Sequence, residues 1–216
     1  MNDTKRMNPR LTNNNHIVVG ASGSGKSAWL RQNIDFKQNR IIAYDPDEDF
    51  RLPRVRDIKT FIKLCKKQGF GKIRCALTVS QTEENFEIFS QMALAIAHHQ
   101  APMTILADEI AGVTRIGKGS EHWGELCRRV RKYGGTLYAA TQRPEECDKT
   151  VFNQCPNKWV GALGSKSAYK KMAEELDISI IQLKDLNNIP QKQIEYWMRN
   201  GTNEATKEKI SFVRRR

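Results

Sequence analysis

The stretch His16-Ile-Val-Val-Gly20-Ala21-Ser22-Gly23-Ser24-Gly25-Lys26-Ser27 decides the fold. A short apolar run leads into Gly-x-x-x-x-Gly-Lys-Ser, and a helical pattern opens at Lys26. This is a phosphate-binding loop (P-loop) in its expected context, strand before and helix after. The glycines let the backbone curl so that its N–H groups face phosphate oxygens, and the helix adds the positive end of its dipole. Gly20, Ala21, Ser22, Gly23, Ser24, Gly25, Lys26 and Ser27 are therefore the candidate nucleotide-binding residues. Lys26 is placed to reach the β- and γ-phosphates of ATP, and the Ser27 hydroxyl to ligate Mg2+. A plain Gly-rich turn is the alternative, and the flanking elements argue against it.

Outward from this loop, short apolar runs alternate with helical patterns. Strands are expected at residues 16–19, 40–44, 72–79, 103–107, 136–141 and 158–163. Helices are expected from residue 26 and over 55–68, 83–99, 122–132 and 167–176. Within 55–68, Ile58, Phe61, Ile62 and Cys65 share one helical face. A closing strand pair is expected at 194–199 and 209–213 around Asn200-Gly201. Such alternation predicts an α/β fold with a mostly parallel central sheet flanked by helices. Residues 1–15 read as a polar arm and 16–216 as one P-loop domain, with 164–216 a C-terminal extension that carries no motif.

A second signal is Met103-Thr-Ile-Leu-Ala-Asp108-Glu109. A buried strand ending in acids beside a P-loop places a carboxylate near the metal. Asp108 is the candidate Mg2+ ligand, acting through water, and Glu109 the group that polarises an attacking water. A third is Thr141-Gln142-Arg143-Pro144, where Gln142 leaves a strand end and can sense the γ-phosphate. The paired acids favour hydrolysis over a small-molecule kinase, which needs no dedicated water-activating base.

Lys and Arg number 36 against 24 Asp and Glu, a net charge of +12. That excess favours a polyanionic partner, most simply nucleic acid, and a merely solvated basic surface is the alternative that charge alone leaves open. Three clusters compete for it: residues 51–74, Arg115 with Lys118 in the Gly-rich segment 112–120, and Arg214-Arg215-Arg216. Nothing points to base readout. The five cysteines form no Cys-x-x-Cys, so reduced core residues are expected rather than disulfides or zinc. No apolar run approaches the ~20 residues of a membrane span. The first ten residues have no apolar core, so a secretory signal is not expected.

Together the three signals resemble the FtsK–HerA superfamily of DNA-translocating ATPases. Asp45-Pro-Asp-Glu-Asp-Phe50 is similar to its D-P-x-x-E/D-Y/F stretch. Arg131-Lys-Tyr-Gly-Gly-Thr-Leu-Tyr-Ala-Ala-Thr-Gln-Arg-Pro144 is similar to its R-K-Y/F-G-x-x-L-x-x-x-T/S-Q-R-P segment, and Val151-Phe-Asn-Gln-Cys155 to its V-x-x-Q-C run. The small size is most like the genome-packaging ATPases of icosahedral, membrane-containing (tectivirus-like) phages. The resemblance implies a RecA/FtsK-like P-loop NTPase that hydrolyses ATP with Mg2+ to move double-stranded DNA without sequence preference. It implies Gln142 as sensor and Arg131 as a finger reaching a neighbouring subunit, with Arg128 and Arg129 as substitutes. A homo-oligomeric ring follows, a hexamer by preference, with portal or capsid vertex proteins as partners and host cytoplasm or the packaging vertex as location. A cellular or conjugative DNA-transfer ATPase is the alternative within the superfamily.

Overall fold

The computed structural model describes residues 5–189 and 192–212. Successive strand residues face opposite sides of a sheet, so a strand apolar throughout must be covered on both. The inner strands obey this. In β1 (His16–Val19), Ile17 and Val19 join one buried cluster and Val18 the other. In β2 (Arg40–Tyr44), Ile42 and Tyr44 face the first cluster, Ile41 and Ala43 the second.

The remaining strands are β3 (Arg54–Val55), β4 (Ile73–Leu77), β5 (Met103–Ala107), β6 (Gly135–Thr141), β7 (Asn157–Val160), β8 (Gln193–Arg199) and β9 (Thr206–Ser211). All nine form one sheet in the order β3-β4-β2-β5-β6-β1-β7-β8-β9. Neighbours from β3 to β7 run parallel, while β8 and β9 add an antiparallel edge. The sheet is the mostly parallel one expected. The site depends on one detail of this order. β6 lies between β1 and β5, so the strand exits carrying Gly20, Asp108 and Gln142 open side by side.

Helices share the two faces unevenly. α1 (Lys26–Asn33) packs Trp29 and Leu30 on the second cluster. The first cluster receives α2 (Ile58–Gln68), α3 (Glu83–Ile96), α4 (Glu121–Arg129), α5 (Lys149–Gln154), α6 (Lys166–Leu176) and α7 (Ile180–Lys184). Its aromatic centre sets Phe86 4.8 Å from Trp123 and 5.0 Å from Tyr44, ring to ring.

Several expected boundaries shift for local reasons. The helix expected from residue 55 begins at Ile58, because Asp57 caps it by accepting the Thr60 N–H at 2.8 Å and Arg54–Val55 pairs with β4. The helix expected to reach residue 99 ends at Ile96, and His98 bridges instead to Ala101. The helix expected to residue 132 tightens into a 3₁₀ turn over Val130–Tyr133. The short elements β3, α5 and α7 went unanticipated. Of the closing strand, Val213 lies outside the described residues, as do Met1 to Thr4 of the arm and the arginine run 214–216.

The described part of the polar arm is fastened across the strand entrances. The Arg6 guanidinium donates to the carbonyls of Leu94, Ala95 and Ala97 at 2.7, 2.9 and 3.0 Å, satisfying the open end of α3. Asn15 is fully buried and its Oδ1 accepts the Leu137 N–H at 3.0 Å. All five cysteines are buried and unpaired, as expected. No helix among the described residues is long and apolar enough to cross a membrane.

Candidate functional site

Folding pins the start of the phosphate loop to the ends of the strands on either side of β1. The Gly20 N–H donates to the Thr141 carbonyl at the end of β6 (3.1 Å), and the Ala21 N–H to the Ala162 carbonyl beyond β7 (2.8 Å). Beyond these anchors the backbone turns left-handed at Gly23 (φ 74°) and Gly25 (φ 100°), where only glycine is unstrained. A Cβ on Gly25 would also sit 2.6 Å from Ile194 Cδ1 of β8. The C-terminal hairpin, which carries no motif, therefore backs the loop.

Lys26 Nζ folds over the loop and donates to the carbonyls of Gly20 (2.7 Å) and Ala21 (3.3 Å). Burial lowers its pKa, while Asp108, Glu109 and Asp49 work to raise it. The Ser24 hydroxyl is buried and has no hydrogen-bond partner among the described residues. The Ser27 hydroxyl donates to Asp49 Oδ2 at 3.3 Å. Asp49 is presented by a tight turn after β2. There the fully buried Asp45 carboxylate accepts the N–H groups of Asp49 (2.8 Å) and Phe50 (3.0 Å), and Glu48 adopts φ 62°.

Asp108 leaves β5 nearly buried. Burial, then Asp49 and Asp45, push its pKa up to about 7 against the Glu109 N–H and Lys26. Glu109 is a non-glycine residue in the left-handed region (φ 44°, ψ 57°), a strained geometry that persists only where its surroundings enforce it. The enforcers are visible. Gln81 Nε2 donates to its carbonyl at 2.8 Å. The Gln142 N–H and the Thr141 hydroxyl donate to its carboxylate at 3.0 and 3.3 Å. Burial raises the Glu109 pKa, opposed by the Gln142 N–H and Lys26.

These residues fit a nucleoside triphosphate with Mg2+. The orphaned Ser24 hydroxyl and the curled N–H groups offer donors to phosphate. The Ser27 hydroxyl beside acids that crowd one another offers hard oxygens to a divalent cation. Among the described residues no three His, Cys, Asp or Glu side chains make a cation cage. That suits Mg2+, which keeps water and substrate phosphates in its shell rather than a protein cage.

The expected site residues thus converge, with one exception. Gly20 to Ser27, Asp108, Glu109 and Gln142 meet at the strand exits. Arg131 sits before β6, at the opposite end of the sheet, and donates to the carbonyls of Pro9 (3.1 Å) and Leu11 (2.6 Å) of the arm. Of its substitutes, Arg129 pairs with Glu125 and donates to the Tyr133 hydroxyl at 2.6 Å. Two residues were missed. Asp49 was visible only as part of Asp45-Pro-Asp-Glu-Asp-Phe50, and no motif marks Gln81.

No family model matches the sequence. The chain is 56% identical over 208 residues to protein P9 of Pseudoalteromonas phage PM2, an alignment that covers 96% of this chain and 95% of that protein. Its fold is similar to the genome packaging NTPase B204 of Sulfolobus turreted icosahedral virus 2 in complex with ATP-gammaS. That match has a TM-score of 0.71 at 12% identity and covers 93% of this chain and 98% of the other. VirB4 of Thermoanaerobacter pseudethanolicus follows at a TM-score of 0.56 and 10% identity, with 94% and 90% covered.

Proposed function

The chain belongs to the family of protein P9 of Pseudoalteromonas phage PM2 and has the P-loop packaging-NTPase fold that its FtsK–HerA resemblance implied, and from that premise we propose that it is the ATP-hydrolysing motor that drives double-stranded DNA into a viral procapsid. The observation that carries the reading is Glu109, a carboxylate strained into place and oriented by the exit of β6 beside Lys26. A binding-only switch has no use for such an acid. The likeness of fold to B204, named a genome packaging NTPase, and the +12 charge support DNA as the load.

In this mechanism Lys26 leaves the loop carbonyls for the phosphates, and the loop N–H groups cradle them. Mg2+, when bound, neutralises charge developing on the phosphate oxygens, with Ser27 as ligand and Asp108 acting through water. Asp49 holds the Ser27 hydroxyl until then. Glu109 accepts a proton from the attacking water, and Gln142 reads the γ-phosphate at the neighbouring strand exit. Arg131 acts on the site of an adjacent copy in a homo-oligomeric ring, a hexamer by preference, docked on portal or capsid vertex proteins. Residues 16–216 act as one domain in this scheme.

The test is Glu109→Gln. It keeps the size and one accepting oxygen but removes the base. ATP hydrolysis should fall at least about 100-fold, while binding of a fluorescent ATP analogue stays within about threefold of wild type. Unchanged turnover would remove Glu109 from the mechanism and the proposal would lose its main support.

A further inference from the structure

The three basic clusters are distinguished by their surroundings. In the segment 112–120, Arg115 is paired with Glu83 at 2.6 Å, which leaves Lys118 there. The arginine run 214–216 lies outside the described residues. Residues 51–74 hold nine Lys and Arg against a single acid, Asp57. Asp57 is committed to capping α2, close enough to feel Lys63. Three of the four arginines of this segment are also engaged: Arg54 and Arg56 pair with Glu48 at 3.2 and 2.6 Å, and Arg74 donates to the Phe36 carbonyl at 2.9 Å, while the exposed Arg51 lies ahead of the helix.

The lysines are different. α2 buries Phe61 and Cys65, with Phe61 stacked on Phe89 of α3 at 5.8 Å between centroids. That packing fixes the opposite face outward. Lys59, Lys63 and Lys66, at i, i+4 and i+7, are all exposed, with Lys67 beside them, and none pairs with a carboxylate among the described residues.

We infer that this face of α2 grips the sugar–phosphate backbone of double-stranded DNA, a contact that rests on the translocase reading above. At 1.5 Å per residue the three lysines span about 10 Å. One DNA strand presents about three phosphates over that length. Lysine is a hydrated point charge on a flexible stem, suited to phosphate contacts that are made and released without reading bases. An anionic lipid surface is the other polyanion of comparable charge. α2 has no apolar face left to insert into it, because Phe61 and Cys65 are spent on the core.

The position of α2 also ties the grip to ATP. The segment between β2 and α2 carries Asp49, which accepts from Ser27, and Glu48, which pairs with the two arginines just ahead of the helix. A change at Ser27 thus reaches the start of α2 through a short, internally bonded run of chain.

The test measures binding of the full chain to a labelled duplex of arbitrary sequence by fluorescence anisotropy across salt. The variants are Lys59→Glu/Lys63→Glu/Lys66→Glu, its milder Gln counterpart, and a control of equal charge change on another exposed face, Lys149→Glu/Lys166→Glu/Lys170→Glu. All substituted side chains are exposed, so circular dichroism and melting temperature should match wild type. For the α2 variants, affinity near 0.1 M salt should fall at least about tenfold and the log–log salt slope by about 3, with the control close to wild type. Equal losses in α2 variants and control would reduce the effect to net charge and overturn the inference. Wild-type binding with an undiminished α2 variant would overturn it while leaving the DNA reading intact. No wild-type binding at any salt would overturn both. Lys59-, Lys63- and Lys66-dependent capture by phosphatidylserine vesicles, with none by DNA, would assign the face to lipid instead.

Discussion

Asp108 sits where burial and its acidic neighbours Asp49 and Asp45 push its pKa up to about 7. In an unfolded chain the same group titrates near 3.9. Between those values the folded state binds more protons, so the nucleotide-free chain loses stability as pH rises from about 4 to about 7. Asp108→Asn should remove that part of the slope. In EDTA at pH 8 the variant should be more stable than wild type, by about 4 kcal/mol at the upper bound. Thermal melts across pH check this, and superimposable profiles for the two proteins would contradict it. The position carries a conflict between folding and function, as expected of the cation-binding acid proposed above. Glu109 shows the same conflict in its backbone, since a left-handed glutamate is held there by hydrogen bonds from Gln81, Thr141 and Gln142.

Among the elements, α4 shows how packing replaces a local signal. Its own N-cap residue, Ser120, makes no capping hydrogen bond with its side chain. Glu87 of α3 does the work, accepting from the Ser120 hydroxyl (2.6 Å) and the N–H groups of His122 (2.8 Å) and Trp123 (2.9 Å). Burial opposes its charge, yet the Ser120 hydroxyl and the two N–H groups hold its pKa below the ordinary value. The stabilisation is present above the unfolded pKa and is lost as pH falls through the lower folded one. Glu87→Ala should cost about 1–2 kcal/mol at pH 7, read by urea denaturation, and the deficit should shrink in acid. A deficit independent of pH would mean that packing, not the carboxylate, matters. This cap also shows what the sequence does not display. The P-loop, the strand ending in Asp108-Glu109 and the Thr141-Gln142 exit were legible because each packs its chemistry into a few consecutive residues. Ser27–Asp49, Gln81–Glu109 and Glu87–Trp123 were not, because each joins residues brought together only by the sheet order. β3, α5 and α7 escaped notice because elements this short have too few residues to establish a period. The hairpin of β8 and β9 was anticipated, but not that Ile194 would back Gly25.

For the molecule as a whole, sheet order, charge and kinship point the same way. β6 between β1 and β5 gathers the residues proposed to bind nucleotide at one end of the sheet. The arm, fastened by Arg6, Asn15 and Arg131, closes the other. The lysines of α2 lie on an outer helix beside the sheet edge formed by β3 and β4, one short connection from Ser27. Likeness of fold to B204 and family membership with protein P9 agree with the motor proposed above. In the function proposed above, ATP hydrolysis by this chain moves it along double-stranded DNA. Displacement of a third strand from a DNA triplex by the purified protein tests that most directly. Displacement is expected with ATP and Mg2+, none with ATP-gammaS, and none with Lys26→Ala. ATP hydrolysis that DNA leaves unchanged, with the third strand still in place, would contradict it.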